Sequence, residues 1–411
     1  MQMKKYKLGE IAEINASSIK SSDKIDEILY LDTANITENR IDTLQRFGLK
    51  KAPSRAQRKV KDNTIIFSTV RPNQSHFGIM KNPASNLIVS SGFATLDIKK
   101  PDEFNADYLY YNLTKPFILN YLQTVAQNQV SSYPSINPSD LANLNLSFPP
   151  FSEQKKIASV LSTLDEKIAL NRRINAKLEQ LAKRLYDYWF VQFDFPNSDG
   201  KPYKSSGGKM FYNAALKREI PDGWEVGNLY EIADYINGLA CQNFRPKVYE
   251  ESLPVIKIRE MNEGVTKDSE QVSINIPEKY KINNGDILFS WSATLEVMVW
   301  NGGKGGLNQH IFKVMPKNYF SHEYVYQQLD RYVVNFQKQA EARKTTMGHI
   351  TSEHINKSRV VLPPEETVQV FTQKVKTLSK MQSNLKAENL KLASLRDRLL
   401  PLLMNGQVTV S

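Results

Sequence analysis

The chain repeats itself, and this repeat constrains the fold more than any other feature of the sequence. Proline pairs stand at Pro149–Pro150 and Pro363–Pro364, 214 residues apart in a chain of 411. After each pair, apolar residues recur in steps of four and three, a period of about 3.5 residues that is typical of a coiled-coil helix. The seam positions of the first copy, each 214 residues before its counterpart in the second, are Ile157, Leu161, Leu164, Ile168, Asn171, Asn175, Leu178, Ala182, Leu185 and Trp189, matched by Phe371, Val375, Leu378, Gln382, Leu385, Asn389, Leu392, Arg396, Leu399 and Leu403.

The regions ahead of the two patterns also resemble each other, more faintly. Chance similarity between short apolar motifs is the alternative, but the constant offset along the whole seam argues against it. The sequence therefore predicts two copies of one mixed domain, each followed by a long helix. The matching motifs are LGEIAEI (8–14) with LYEIADY (229–235), NTIIFST (63–69) with GDILFSW (285–291), and YLYYNL (108–113) with YVYQQL (324–329).

Composition shifts and the proline pairs divide the chain into five segments. We expect the second helix to end at Leu400, because Pro401 lacks the backbone N–H that continues a helix. The predicted segments are a first mixed domain (1–150), a first long helix (151–191), a linker rich in Gly, Pro and Ser (192–223), a second mixed domain (224–364) and a second helical segment (365–411).

The apolar seam of each predicted helix has to be buried against a partner helix. The first carries the chain roughly 57 Å at 1.5 Å per residue, and the seam of the second needs an apolar partner. The simplest closure runs the second helix back along the first. We therefore predict an α+β chain in which two duplicated mixed α/β domains are separated by an antiparallel coiled coil with pseudo-two-fold symmetry. Polar seam residues would select its register, or are solvated positions of a loose coil: Asn171, Asn175, Gln382 and Asn389.

Charge and composition narrow the function classes. The net charge is +11 and the pI is about 9.3, which points to a polyanionic partner. No run approaches the roughly 18 apolar residues of a membrane span, and the first residues lack the apolar stretch of a signal peptide. A single cysteine, Cys241, excludes an internal disulfide framework. We expect a soluble cytoplasmic protein.

The plan of domain, Pro-Pro, long helix, repeated twice, resembles the specificity (S) subunit of type I restriction–modification systems. The resemblance covers essentially the whole chain. The second copy departs from the family in carrying Thr367–Val368 where the first has the family's Glu153–Gln154. Residues 148–190, 191–213 (VQFDFPNSDGKPYKSSGGKMFYN) and 218–225 (REIPDGWE) are similar to the family's central conserved region, and residues 362–375 (LPPEETVQVFTQKV) and 395–408 (LRDRLLPLLMNGQV) to its distal one.

This resemblance implies a function that composition alone does not. Family members carry two target-recognition domains, and each reads one half of a split sequence in double-stranded DNA. Their conserved helices hold two methyltransferase (M) subunits, and restriction/translocase (R) subunits join that core. S-adenosylmethionine, ATP and Mg²⁺ are then expected on the partner subunits, with no cofactor in this chain.

The sequence contains only weak matches to catalytic, phosphate-binding or zinc-binding motifs. FPPF (148–151) resembles the Asn/Asp-Pro-Pro-Tyr/Phe motif of amino-group DNA methyltransferases, but Phe148 cannot accept a hydrogen bond from a target amino group. NGGKGG (301–306) lacks the spacing of a phosphate loop, and we interpret it as a hairpin turn or loop. The histidines have no zinc-ligand spacing. We predict no metal and no catalysis.

Candidate DNA contacts in the first domain lie in three places. Residues 46–61 are basic and nearly free of acids, which suits phosphate contact; the alternative is a solvated basic surface. Arg71 and Asn73 follow a predicted strand, where a loop could enter a groove, and Gln127–Gln129 form a predicted polar loop. The candidates are Arg46, Lys50, Lys51, Arg55, Arg58, Arg71, Asn73, Asn128 and Gln129.

The second domain offers different residues at corresponding places. One group follows the equivalent strand, a second is the counterpart of Ser90–Gly92, and a third corresponds to the predicted loop Gln129–Ser132. Different side chains at matching positions are what two modules reading different half-sites require. The candidates are Trp291, Ser292 and Thr294; Gln309 and His310; and Arg343, Lys344 and Thr345.

Two other function classes remain open at this level. A coiled-coil assembly adaptor would use its globular domains to bind protein, with no direct readout of DNA. A stand-alone enzyme fused to a recognition module would need nucleotide or cofactor motifs that the sequence lacks. The leading prediction is a non-catalytic, sequence-specific DNA-binding subunit.

Overall fold

The computed structural model describes residues 2–20, 22–23, 25–129, 134–292, 294–342 and 350–410, apart from the side chains at 129 and 339–342. Two compact units are present. The first comprises residues 1–169 with 391–411, and the second comprises residues 170–390. Each unit therefore contains one mixed domain together with parts of both long helices.

Within the described residues, the first mixed domain is built from short strands, several of them largely buried, and from α-helices. Its core strand β8 buries all four of its residues, as expected for an apolar run between two turn signals. The elements are β1 Lys4–Lys7, α1 Leu8–Ile11, β2 Ala12–Ile14, β3 Glu27–Leu31, β4 Ile36–Thr37, β5 Arg40–Ile41, β6 Gln45–Gly48, β7 Ala56–Lys59, β8 Ile65–Ser68, β9 Phe77–Ile79, β10 Leu87–Ser90, β11 Phe93–Ile98, α2 Ala106–Leu113, α3 Pro116–Gln129, α4 Pro138–Ala142 and β12 Asn145–Phe148.

The second half of the chain begins with the first long helix and repeats the mixed domain. Its core strand β20 is likewise buried throughout. The elements are α5 Phe151–Tyr186, β13 Met210–Asn213, β14 Arg218–Pro221, β15 Glu225–Gly227, α6 Leu229–Ile232, β16 Ala233–Asn237, β17 Ser252–Ile256, α7 Ile258–Glu263, β18 Gln271–Ser273, β19 Lys281–Ile282, β20 Ile287–Ser290, β21 Glu296–Val299, β22 Gly305–Leu307, β23 Ile311–Pro316, α8 His322–Ala342, α9 Ser352–Asn356, β24 Val360–Leu362 and α10 Glu365–Met404.

Sheet topology confirms the duplication. The first domain has one four-stranded sheet in the order β6-β3-β10-β7 and another in the order β2-β11-β8-β9. The second domain has the same two sheets, β18-β17-β22-β19 and β16-β23-β20-β21. In both domains, the strand that opens the domain pairs with the strand that precedes the long helix: β1 with β12, and β15 with β24. One fold has been used twice, with different side chains.

Within the first unit, helices α5 and α10 pack antiparallel. Ile157, near the start of α5, shares a core with Leu403, near the end of α10. Further along α5, Asp165 accepts a hydrogen bond from Nη1 of Arg396 at 2.9 Å and another from the hydroxyl of Tyr111 at 2.7 Å. Burial, and then the Asp165 charge, raise the pKa of Tyr111 far above its ordinary value, so this hydroxyl stays a donor.

Within the second unit the same two helices continue in the same sense. Nδ2 of Asn171 donates to Oδ1 of Asn389 at 3.0 Å, and the ring of Trp189, just beyond α5, lies 5.8 Å from that of Phe371. As in the first unit, residues later in α5 lie beside residues earlier in α10. Every predicted seam position is buried or half-buried, so the antiparallel coiled coil inferred from the sequence is confirmed.

Polar residues occupy the middle of this seam. Asn171 is fully buried, and its amide also donates to Oε2 of Glu388 at 2.8 Å. Gln382 donates to the backbone oxygen of Asn175 at 3.4 Å. These side chains are not solvated surface positions. Each amide can bond only a partner at one level of the helix pair. For that reason we interpret these residues as selecting the register of the coiled coil, and this role stays a prediction.

The predicted linker is a folded element. Residues 192–223 include the antiparallel hairpin of β13 and β14. Phe193 and Phe195 are buried in the core of the second unit, and the ring of Phe195 stacks on that of Trp224 at 4.9 Å. The carboxylate of Asp194 accepts two hydrogen bonds from Ser205, both at 2.7 Å. Buried aromatic rings outweigh the loop-like composition of this segment.

Pro401 does not end the second helix, contrary to the sequence-based prediction. Helix α10 continues to Met404 with Pro401 inside it. A proline in the last turn removes only one backbone hydrogen bond, and the burial of Leu403 and Met404 in the first core compensates for that loss. The α-helical part of the first helix ends at Tyr186. Residues 187–191, the last five of the predicted helical segment, form a π-helical turn.

The polar seam generates a stability prediction. Replacing Asn171 with Ala removes the donor that Glu388 and Asn389 share, so we expect the free energy of unfolding to fall by about 1–3 kcal/mol. The double replacement Asn171→Leu and Asn389→Leu should instead raise it above that of the unmodified chain, because polar seam residues are held at a cost in stability. Urea unfolding measures both, with exposed Arg173→Ala as the control. An Asn171→Ala variant as stable as the parent would contradict this account.

Candidate functional site

One edge of the first domain collects segments that are distant in sequence. The backbone N–H of Ser91 donates to the oxygen of Arg55 at 2.7 Å, and that of Thr69 donates to Gly92 at 2.9 Å. The chain after β8 then pairs with residues 134–136, where the N–H of Arg71 donates to the oxygen of Pro134 at 3.0 Å. Backbone hydrogen bonds thus fix Arg55 and Arg71 at the same edge.

Arg71 and Asn73 take the exposed turn that the sequence predicts after the strand. Arg71 has a left-handed backbone conformation, with φ of 46°, which sets the direction of the short turn Pro72–Gln74. The N–H of Asn73 lies 3.4 Å from Oε1 of Gln123, on helix α3. This turn therefore lies against α3.

The polar residues Gln127–Gln129 are not a loop. They form the last turn of α3, where Gln127 and Asn128 are exposed. Apolar residues at helical spacing lead up to this stretch, with Leu122 and Ala126 buried in the core. The helix anchored by these buried residues continues into the polar stretch, despite its loop-like composition. The side chain of Gln129 lies outside the described residues.

The basic stretch 46–61 does not act as one uniform surface. Four of its seven cations already have partners within the domain. Those partners are Glu27 for Arg46 (3.2 Å), Ser18 for Arg58 (3.1 Å), Asp23 for Lys59 (2.7 Å) and Asp97 for Lys61 (3.8 Å). Among the described residues, no ion pair involves Lys50, Lys51 or Arg55, and all three are exposed. The segment 50–55 is thus the part of the stretch that presents its charge outward.

The second domain builds an equivalent edge from different side chains. Nε1 of Trp291 donates to Oδ1 of Asn237 at 3.0 Å, and the Trp291 ring lies 5.7 Å from that of His310. His310 is exposed and Trp291 is half-buried. Beside them, Oε1 of Gln309 accepts from Nδ2 of buried Asn308 at 2.9 Å. An indole and an imidazole ring therefore line this edge of the second domain.

Backbone hydrogen bonds show that the two edges correspond. Ile136 donates to Thr69 at 2.8 Å in the first domain, and Ile350 donates to Trp291 at 2.9 Å in the second. The Thr69–Gly92 bond likewise has its counterpart in the bond of 3.3 Å from Trp291 to His310. The structure thus aligns positions that sequence motifs matched only approximately.

Other sequence-based candidates have mixed outcomes. Ser292 is buried, and its backbone oxygen accepts from Ser290 at 3.2 Å, so its side chain cannot reach a ligand in this conformation. Thr294 is exposed. Arg343, Lys344 and Thr345 lie outside the described residues. Asn237 was missed by the sequence reading, although it closely follows the repeated LYEIADY motif, which signals the equivalent strand end.

The glycine-rich segment 301–306 is only partly a loop. Gly305 and Gly306 belong to strand β22, where a Cβ on Gly305 would come within 2.6 Å of Ile256. Glycine is needed there for close packing and not for phosphate binding. Among the described residues, no group of three or more His, Cys, Asp or Glu side chains could hold a metal ion. No helix of the described chain is long and apolar enough to cross a membrane.

Comparison with known proteins identifies the family to which this duplicated fold belongs. The sequence profile of the type I restriction modification DNA specificity domain matches residues 2–180 and 221–394, which is most of the chain and both copies of the repeat. The chain belongs to this family. Both mixed domains are therefore DNA specificity domains, and the chain is a specificity subunit of a type I restriction–modification system.

Individual relatives agree over the full length. The specificity subunit is 24% identical to that of the type I restriction enzyme HindI of Haemophilus influenzae, over 98% of this chain and 99% of the relative. It is 26% identical to the MjaIX specificity subunit of Methanocaldococcus jannaschii, over 99% and 93%. The solved S subunit of a type I system from M. genitalium has the same fold, with a TM-score of 0.56, 16% identity and coverage of 98% and 96%.

Proposed function

We propose that this specificity subunit reads a split DNA sequence, with each mixed domain contacting one part and the paired helices setting the number of base pairs between them. The observation that carries the proposal is one edge built twice by the same backbone hydrogen bonds but lined by different side chains. A conserved scaffold with altered side chains suits two readers of unlike sequences, because base identity is read by side chains at groove edges.

In the first domain, Lys50, Lys51 and Arg55 are proposed as phosphate contacts. They are exposed cations on one short segment, outside the ion pairs that engage their neighbours. Phosphate contacts position a protein on the duplex without reading its sequence. Arg71, Asn73 and Asn128, on the adjoining turn and helix end, are the proposed base contacts, since Arg pairs with guanine and Asn with adenine.

In the second domain, the proposed base contacts are His310, Gln309, Thr294 and the edge of Trp291. The ring of exposed His310 lies 5.7 Å from that of Trp291 in a tilted arrangement, and Trp291 is itself held by Asn237. This arrangement limits the orientations of both rings before DNA arrives, which reduces the entropy lost on binding. Ser292 is not part of this proposal, because it is buried.

Chemistry is proposed to reside on partners. Two methyltransferase subunits would bind the helical region, restriction/translocase subunits would join them, and S-adenosylmethionine, ATP and Mg²⁺ would be used there. Support comes from the relatives, which are named as specificity subunits of restriction enzymes. The pure chain incubated with DNA and all three cofactors should give no methylation and no cleavage, and turnover by the chain alone would overturn this part of the proposal.

Salt dependence tests the phosphate contacts. The triple variant Lys50→Ala, Lys51→Ala and Arg55→Ala should weaken binding about equally for all sequences. Its log–log slope of affinity against salt should become shallower by roughly 2.7, at about 0.9 for each lost phosphate contact. Fluorescence anisotropy with a labelled duplex measures the slope. Lys100→Ala is the control, because Lys100 already pairs with Glu103 at 3.1 Å. An unchanged slope in the triple variant would refute the assignment.

Exchange of one domain tests modular reading. Replacing residues 224–362 with the second domain of another family member should change the base preference in one half of the target only. Selection of bound duplexes from a random-sequence pool, carried out with both full-length chains, measures this directly. A change in both halves would show that the two domains do not read independently.

A further inference from the structure

A turn in the second domain exposes apolar side chains that the fold does not need. Residues 244–250 lie between strands β16 and β17. The side chains of Val248 and Tyr249 are exposed, Tyr249 completely so. Arg245 and Lys247, also exposed, precede them in the same turn. The turn therefore presents two cations and two exposed apolar side chains next to one another.

The turn is held in place by one carboxylate. Oε2 of Glu250 accepts from the backbone N–H of Lys247 at 2.7 Å, and Oε1 accepts from Nδ2 of Asn275 at 2.8 Å and from the hydroxyl of Ser273. These hydrogen bonds, the one from Lys247 first, lower the pKa of Glu250, so the carboxylate stays ionised at neutral pH. The carboxylate therefore ties the turn to Ser273 at the end of strand β18 and to Asn275.

Tyr249 has a backbone conformation that its side chain disfavours. Its φ is 67°, in the left-handed region, and the N–H of Glu250 donates to the oxygen of Lys247 at 3.0 Å to close the turn. The third position of such a turn ordinarily takes Gly or Asn. A tyrosine that weakens its own turn and buries nothing suggests a role outside folding.

The duplication shows what this turn replaces. Pro53 accepts from Ala56 at 2.9 Å in the first domain, and Pro277 accepts from Tyr280 at 2.9 Å in the second. This match aligns Lys50 and Lys51, two of the proposed phosphate contacts, with the uncharged Ile274 and Asn275. The second domain therefore lacks cations at these two positions.

The turn supplies cations at the place where they are missing. It is bonded directly to the altered segment: Asn275 donates to Glu250, and the N–H of Ile274 donates to the oxygen of Glu251 at 3.2 Å. Arg245 and Lys247 therefore lie beside the positions whose first-domain counterparts are Lys50 and Lys51.

We propose that residues 244–250 form a DNA-contacting turn of the second domain, in which Arg245 and Lys247 bind phosphates and Val248 and Tyr249 make apolar contact with bases of its half-site. This rests on the proposed function. Duplex DNA is the occupant that fits, because the cations match the phosphate backbone and apolar side chains reach thymine methyl groups or base steps within a groove.

The decisive variant is Tyr249→Gly, because it separates folding from binding. Glycine relieves the left-handed backbone, so the midpoint of thermal unfolding should stay the same or rise. Affinity for the selected target duplex should fall about ten-fold, as for loss of an aromatic base contact, and base preference should relax in one half only. Tyr249→Phe, which keeps the ring, should retain affinity within about three-fold. The matched control is Tyr212→Ser, at an exposed aromatic residue of the β13–β14 hairpin.

The outcomes distinguish this inference from the proposed function. If the unmodified full-length chain selects no sequence from a random duplex pool, the proposed function fails and the turn has no target to read. If it selects a split sequence, but Tyr249→Gly keeps the same affinity and the same preference in both halves, the turn is not a base contact and the inference alone is overturned. A fall in affinity with Tyr249→Phe as large as with glycine would also overturn the role of the ring.

Discussion

The pairing of helix α5 with helix α10 is the interaction on which the rest of the molecule depends. Each of the two helices contributes side chains to the cores of both units. At one level the pairing uses the Asp165–Arg396 ion pair, and at another the buried amide of Asn171. Apolar contacts provide most of the burial, whereas these polar contacts differ from level to level, and we interpret them as favouring one register over its neighbours.

Duplication explains how one chain can read two unlike sequences. Both mixed domains keep the same strand order and the same backbone hydrogen bonds at the candidate edge. Over this common scaffold, Arg71 and Asn73 in one domain have no like residues in the other, which presents Trp291 and His310. Selection could alter each edge separately, because the side chains there contribute little to the core.

Sequence reasoning recovered features that depend on periodicity. The seam, the two long helices and the repeated mixed domain all follow from regular spacing, and the structure confirms them. Boundaries that depend on tertiary burial were missed: α10 continues through Pro401 because Leu403 and Met404 are buried. For the same reason, the segment 192–223 folds on Phe193 and Phe195 despite its loop-like composition.

The candidate site was only partly predictable. Turns after equivalent strands were located correctly, but the sequence could not show that Ser292 is buried or that Arg46 and Lys59 already have acidic partners. Those facts depend on which side chains meet across strands. Nor could it reveal Tyr249, whose significance lies in a left-handed backbone and in the bonds of Glu250.

Disulfide formation between introduced cysteines tests the helix pairing most directly. The native Cys241 does not interfere, because burial raises the pKa of its thiol to about 11. Cysteines at 175 and 382 should form a disulfide on mild oxidation, since Gln382 contacts the backbone of Asn175. Cysteines at 185 and 389 should stay reduced. Asn389 contacts Asn171, which precedes position 185 on α5 by fourteen residues, or about 21 Å at 1.5 Å per residue, and a disulfide tolerates only roughly 7 Å between Cα atoms. A disulfide in the second pair and none in the first would contradict the antiparallel arrangement.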